Sequence, residues 1–120
     1  MNSWDETAAV DAFFAGRVQA WTLFDALSRA VRSAYPGAKL RVMKTCIAFD
    51  DPKPFLYVSF PPRKSMQGLW LSIGLRELYD HPRIAMLVPI SKTRFTAHIH
   101  LTCAQEIDAQ LMQLIDGARQ

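Results

Sequence analysis

Apolar side chains in the first part of the chain recur every three to four residues, which is the period of an α-helix. Ser3 and Glu6 have the spacing of a capping box and predict a short helix that ends near Gly16. A second helix is predicted over residues 18–35, because proline and glycine at positions 36 and 37 disfavour its continuation. Its inward stripe consists of Trp21, Phe24, Leu27, Val31 and Tyr35.

From residue 40 onward the period changes to two, which is typical of strands that bury one face. Residues 40–43 and 46–49 predict a hairpin, and further strands are predicted over 55–60, 68–75, 83–90 and 94–101. The short connections favour antiparallel pairing of consecutive strands, since a parallel crossover needs a dozen or more residues. Pro61 and Pro62 exclude the following loop from a central strand, because neither has a backbone N–H to donate.

The end of the chain returns to the helical period, with Thr102 and Gln105 as a second capping box. The predicted fold class is α+β: a mostly antiparallel sheet of about five to six strands, with two N-terminal helices and one C-terminal helix packed on it. At 120 residues the chain is expected to form a single domain, residues 1–120. The helical side chains expected to cover Leu71 and Ile73 of the sheet are Trp21, Phe24, Leu27, Leu111, Leu114 and Ile115.

The composition of the chain favours a globular protein over a secreted or membrane-spanning one. Half of the residues are hydrophobic and 21% are charged, which is typical of a globular chain. The acidic, polar N-terminus lacks the pattern of a signal peptide, and no apolar stretch approaches the ~20 residues that cross a bilayer. The two cysteines, Cys46 and Cys103, are too few for a secreted disulfide framework. We therefore expect a cytoplasmic protein with no membrane partner.

Positive charge is concentrated in the part of the chain that is predicted to form the sheet. The formal net charge is +3, but residues 39–94 alone contain ten Lys or Arg and four Asp or Glu. A basic surface attracts phosphates, acidic metabolites and acidic macromolecules. The alternative is an ordinary solvated surface with a small excess of charge.

Four short segments carry a resemblance to a known family: KTCIAF at 44–49, HPRIA at 81–85, RFTAH at 94–98 and EID at 106–108. From about residue 13 to its end, the chain resembles an uncharacterised bacterial family described as domain of unknown function 5655. That family is distantly similar to a frataxin-like group, domain of unknown function 1801. The resemblance therefore implies iron handling as one function. Members often have a second histidine beside the position of His98, where this chain has Ala97.

The last predicted strand places polar side chains on one face: Arg94, Thr96, His98 and His100. Histidines two apart on a strand have backbones about 6–7 Å apart, which is close enough for one metal ion. A metal site needs a third and a fourth ligand, and none stands at matching spacing. The sequence therefore predicts no metal site and no cofactor, and the alternative is two half-buried histidines on a solvated sheet face.

Other cations and aromatic residues complete the predicted ligand-binding set. Arginine binds phosphate and carboxylate in a two-pronged way. We expect an anion pocket on the polar sheet face, with binding that weakens as pH rises through the range of the histidines. Strict alternation places Lys44 with the apolar residues of its strand unless the hairpin turn rotates it. The predicted set is Arg94, His98, His100, Lys44, Arg41, Trp70 and Tyr57, with Arg83 as a further candidate.

No catalytic signature is visible. Cys46 and His98 would form a nucleophile and base only if the fold brought them within about 3 Å of each other. Asp50 and Asp51 precede a proline and are typical of a turn. The leading hypothesis is a small binding module whose basic sheet face holds an anionic ligand or an acidic macromolecule. The alternatives are a metal-handling or iron-handling protein and an enzyme of unrecognised chemistry, and an exposed sheet face favours a homodimer.

Overall fold

The structure is a computed structural model that describes residues 3–77 and 80–119, with side chains from Glu6 onward. Three helices flank the strands in sequence: α1 is Ser3–Phe13, α2 is Val18–Ala34 and α3 is Ala109–Arg119. A short 3₁₀ turn, Ala104–Glu106, precedes α3. The strands are β1 (Lys39–Val42), β2 (Ile47–Asp50), β3 (Pro54–Ser59), β4 (Leu69–Leu75), β5 (Met86–Pro89) and β6 (Phe95–Leu101).

The six strands form one sheet in the order β1-β2-β3-β4-β6-β5, and every neighbouring pair is antiparallel. The predicted α+β class, with two N-terminal helices and one C-terminal helix, is confirmed. The prediction that consecutive strands pair with each other is wrong at one point. β4 pairs with β6 instead of β5, and β5 lies at the edge of the sheet.

Contacts of Arg83 account for the short edge strand. Its guanidinium donates to the Asp108 carboxylate and, at 2.7 Å, to the backbone carbonyl of Glu106. The predicted strand 83–90 therefore begins only at Met86, since its first residues are attached to the connection between β6 and α3. Arg83 has a structural role and is removed from the candidates for ligand binding.

One face of the sheet packs against the helices. Leu71 and Ile99 on the sheet and Leu27 and Ile115 on the helices are almost fully buried and belong to one connected cluster. The predicted place of Trp21 in this core is wrong, because its side chain is 38% exposed. Trp21 lies toward α1 instead, and its indole N–H donates to the carboxylate of Asp11 at 3.1 Å.

The connection into α3 differs from its prediction. Glu106, and not Gln105, supplies the capping carboxylate, which accepts hydrogen bonds from the backbone N–H groups of Thr102 and Cys103. The helix proper starts later, where Asp108 accepts a hydrogen bond from the N–H of Leu111 at 3.0 Å. The Ser3 side chain, and with it the first capping box, lies outside the described residues. Among the described helices none is long and apolar enough to cross a membrane.

Candidate functional site

The sheet face opposite the core carries most of the predicted site. Its central row crosses all six strands through cross-strand pairs. Trp70, Thr96 and His100 share this face by alternation along β4 and β6. We call it the open face, and its central row is Arg41, Ala48, Tyr57, Ser72, His98 and Met86.

Of the predicted ligand-binding residues, all but Lys44 lie on or next to the open face. Arg94 directly precedes β6 and lines the same cleft as Ser72 and Thr96. Lys44 lies in the bend between β1 and β2, where it lines a separate cavity together with Phe13. The structure therefore does not bring Lys44 to Arg94, because the hairpin turn carries it away from the face.

His98 is held between two neighbours on β4. Its Nδ1 lies 2.8 Å from the hydroxyl oxygen of Ser72, and its ring stacks on Trp70 with 5.5 Å between ring centroids. Burial lowers the pKa of His98 below its ordinary value, because the charged imidazolium loses hydration. His98 is therefore a neutral polar group near pH ~7 and not the cation expected from the sequence.

His100 attaches the open face to the loop before β4. Its Nε2 is hydrogen-bonded to the backbone carbonyl of Gln67. Because a carbonyl oxygen only accepts, Nε2 carries the proton. Trp70 packs beside both histidines and is only 9% exposed. Trp70 therefore packs against the two imidazoles and has little exposed surface for the ligand contact that the sequence predicted.

The candidate arginines differ in whether they already form an ion pair with a carboxylate of the protein. Arg41 makes two hydrogen bonds to the carboxylate of Asp50, at 3.1 and 3.3 Å, and this raises the pKa of Arg41 above its ordinary value. The guanidinium of Arg41 is therefore already bound to a carboxylate of the protein. Among the carboxylates that the structure describes, none forms an ion pair with Arg94. Arg94 is therefore the candidate arginine available for an external ligand.

A cleft of about 400 Å³ lies around Gly74 at the end of β4, between the open face and the C-terminal end of α3. Gly74 has no side chain, and a Cβ built there would meet no atom within 4 Å. Tyr57, Ser72 and Thr96, which all carry a hydroxyl group, are among the residues that line this space, which we call the Gly74 cleft. It has no acidic residue among its described lining, and its cations are Lys53, Arg76, Arg94 and Arg119.

Sequence reasoning missed three of these cations. Arg76 continues the alternation of β4 two residues after Gly74, so the period of two could have found it. Lys53 lies between β2 and β3, and Arg119 ends α3, so only the tertiary fold brings them to the cleft. Arg119 is partly neutralised, because it pairs with Asp51 at 2.9 Å and stacks over the ring of Tyr35.

Metal and nucleophile chemistry have little geometric support. Within the described part of the chain, no three His, Cys, Asp or Glu side chains are grouped so that they could hold a metal ion. Cys46 directly precedes β2, whereas His98 is on β6, with β3 and β4 between them. At ~4.8 Å per strand spacing, this separates the two residues by roughly 14 Å, so they do not form a nucleophile–base pair.

These features define an α+β domain with a helix-covered sheet face, an open face and a basic cleft at the end of β4. The family model DUF5655, a domain of unknown function, matches residues 10–119. The chain belongs to this family, as the four short segments indicated. No curated protein and no solved structure matches the chain.

Proposed function

We propose that this protein is a small binding module whose Gly74 cleft holds an anionic ligand with a carboxylate or phosphate group. The observation that carries the proposal is the charge of the cleft, which is lined by four cations and by no described carboxylate. Arg94 is the central cation, since none of the described carboxylates pairs with its guanidinium and competes with a ligand.

The polar groups of the cleft suit an oxyanion. A guanidinium donates two parallel hydrogen bonds to a carboxylate or phosphate, and hydroxyls such as those of Ser72 and Thr96 donate further ones. The Oγ of Ser72 also lies at hydrogen-bond distance from His98, which orients the hydroxyl. Strands hold these groups more rigidly than loops would, so binding costs less conformational entropy.

The size of the cleft favours a small ligand. Its volume of about 400 Å³ lies within the roughly 300–1,000 Å³ of typical small-molecule sites. Tyr57 and Ile90 offer apolar surface beside the cations, which suits a ligand with an organic body and an anionic end. A carboxylate or phosphate compound of this kind fits better than an acidic macromolecule.

The proposal is tested by titrating the protein with phosphate, sulfate and citrate while backbone amide NMR shifts are followed. Arg94→Ala is expected to weaken binding about 10–100-fold, because a hydrogen bond to a charged group contributes about 1.5–3 kcal/mol. Arg29→Ala is the matched control: it removes the same charge from a side chain that is 81% exposed on α2, outside the cleft. Equal weakening by both variants would indicate attraction to net charge and no site at Gly74.

Metal handling, which resemblance to the frataxin-like group would imply, has less support because both histidines of β6 already have hydrogen-bond partners. Elemental analysis of the purified protein tests it. A metal-to-protein ratio near one that is lost in His98→Ala would replace the anion proposal. The wider frataxin-like similarity, the bacterial origin, the cytoplasmic location and the homodimer stay predictions.

A further inference from the structure

A second and larger cleft lies at the other end of the central strands. Its volume is about 660 Å³. One wall is formed by residues 16–20, where α2 begins, and the other by Phe60 and the loop at 61–68. We call it the α2–loop cleft. The six residue steps from Leu69 to Leu75 place it roughly 20 Å from the Gly74 cleft, at ~3.3 Å per residue.

The charge of this cleft has one sign. Arg17, Arg63 and Lys64 line it, and no Asp or Glu is among the lining residues. None of the carboxylates that the structure describes forms an ion pair with these three side chains. Three cations therefore share a concave surface with no counter-ion among the described side chains, which concentrates positive potential at one place.

Arg17 is oriented by an aromatic ring. Its Cζ atom lies 3.8 Å from the centroid of the Phe60 ring, which is the geometry of a cation–π contact. Phe60 is itself stacked on Phe13, with 5.2 Å between ring centroids. A guanidinium that rests on a ring face keeps the N–H groups at its edge available as donors. Arg17 therefore combines a defined position with unused hydrogen-bonding capacity.

The backbone of both walls is constrained. Gly16 has φ +76°, a conformation that favours glycine, and it turns the chain from α1 into α2 just before Arg17. On the other wall, Pro61 and Pro62 restrict the start of the loop. Its end is attached where His100 bonds the carbonyl of Gln67 and where Gly68 packs against the backbone of Leu101. The cations therefore project from anchored segments.

We infer that the α2–loop cleft is a binding site for a phosphate group, separate from the Gly74 cleft and independent of the function proposed for it. A phosphate ester carries a charge of about −1.5 to −2 near neutral pH, so several cations are needed to neutralise it. Arg17 supplies planar donors, and Lys64 supplies a compact charge of the kind that phosphate sites also use. The phosphate belongs to a small phosphorylated compound or to a nucleic-acid backbone.

The test is an amide NMR titration of the full chain with inorganic pyrophosphate and, separately, with a six-nucleotide oligothymidylate. Saturable shifts are expected at Gly16, Gln19 and Gly68. Arg17→Gln and Arg63→Gln are each expected to weaken binding at least about tenfold, as for the loss of one hydrogen bond to a charged group. Arg63 lies on an exposed loop, so its replacement keeps the test valid if Arg17→Gln disturbs the fold.

Two controls distinguish binding at the α2–loop cleft from binding at the Gly74 cleft and from attraction to net charge. Arg94→Gln removes a cation from the Gly74 cleft and is expected to leave pyrophosphate binding at the α2–loop cleft unchanged. Arg29→Gln makes the same change of net charge on an exposed side chain of α2 that does not line the cleft. The proposal is overturned if no saturable shift appears at residues 16–20 and 60–68, or if Arg29→Gln weakens binding as much as Arg17→Gln. Tighter binding of the oligothymidylate than of pyrophosphate would identify a nucleic-acid backbone as the source, and the reverse order a small compound.

Discussion

The hydroxyl of Ser72 and the imidazole of His98 face each other across β4 and β6, with 2.8 Å between Oγ and Nδ1. The pair sits in the middle of the open face, with the indole of Trp70 stacked against the imidazole. A histidine at this place is shielded from water, although the face as a whole is exposed. Its protonation therefore depends on burial, and this has a consequence for folding stability.

The free energy of unfolding is expected to fall as pH falls just below about 6.5, the ordinary pKa of histidine. Burial lowers the pKa of His98 in the folded state. The unfolded chain therefore binds a proton at a pH where the folded chain does not, and protonation favours unfolding. The free energy of unfolding therefore rises with pH between the pKa of His98 in the folded state and its pKa in the unfolded chain. Urea unfolding at several pH values between about 5 and 8 measures this, and His98→Gln should flatten the slope in that window.

Ser72→Ala is the control that identifies the cause of this effect. It removes the hydrogen bond but leaves His98 packed on Trp70, so the pH dependence should persist if burial causes it. A slope that disappears in Ser72→Ala would assign the effect to the hydrogen bond, and a slope unchanged in His98→Gln would assign it to another group.

Anion binding at the Gly74 cleft is expected to depend on salt and to change little with pH between about 7 and 8. Guanidinium groups such as those of Arg94 and Arg76 stay charged over this range, and burial lowers the pKa of His98 below its ordinary value. Salt weakens the attraction, because exposed charges are screened beyond about 8 Å at 0.15 M ionic strength. Sulfate titrations at three pH values and three salt concentrations measure both, because sulfate keeps the same charge over this range. Binding that weakens as pH rises over this range would contradict the neutral state of His98.

The alternation of side chains made much of the fold predictable. In β4 and β6 a clean period of two separated Leu71 and Ile99 from Trp70 and His98, and the structure keeps that separation. The position of β5 could not be read this way. Periodicity says which face a side chain takes, whereas strand order depends on tertiary contacts such as those of Arg83 with the segment before α3.

The site was predictable as a face but not as a cleft. Tyr57, Arg94 and His98 were placed together because alternation alone determines their side of the sheet. Which arginine is available could not be predicted, since the pairing of Arg41 with Asp50 depends on the register of β1 and β2. The cleft also depends on an absent side chain at Gly74 and on cations that distant segments contribute.

Leu71→Ala is expected to lower the free energy of unfolding by about 2–5 kcal/mol, because it leaves a cavity in a packed core. Leu71 is fully buried and pairs with Ile99 in the register of β4 and β6. Ile90→Ala is the matched control: that side chain is 64% exposed, and its loss should change stability by no more than about 0.5 kcal/mol. Chemical denaturation of both variants checks the difference. Similar costs for the two would mean that Leu71 is not at the centre of the core.

Gly74→Val is expected to separate anion binding from folding. The backbone of Gly74 is in an ordinary extended conformation, and a Cβ built there meets no atom within 4 Å, so a side chain can be added without a clash at Cβ. Because glycine weakens a strand interior, the substitution should leave stability unchanged or raise it by up to about 1 kcal/mol. The valine methyl groups would fill part of the cleft beside Thr96, the cross-strand partner of residue 74, so binding of citrate or phosphate should be lost or strongly weakened.

Side chains of increasing size at residue 74 extend this test of anion binding. Gly74→Ala should weaken binding less than Gly74→Val, since it fills less of the cleft. Ser59→Val changes the same sheet face at the far end of β3, outside the Gly74 cleft, and should leave binding unchanged. Amide NMR titrations give the affinities, and thermal unfolding checks that each variant is folded. If Gly74→Val is folded and binds anions as tightly as the unchanged protein, the ligand does not occupy this cleft, and the proposed function fails at its central residue.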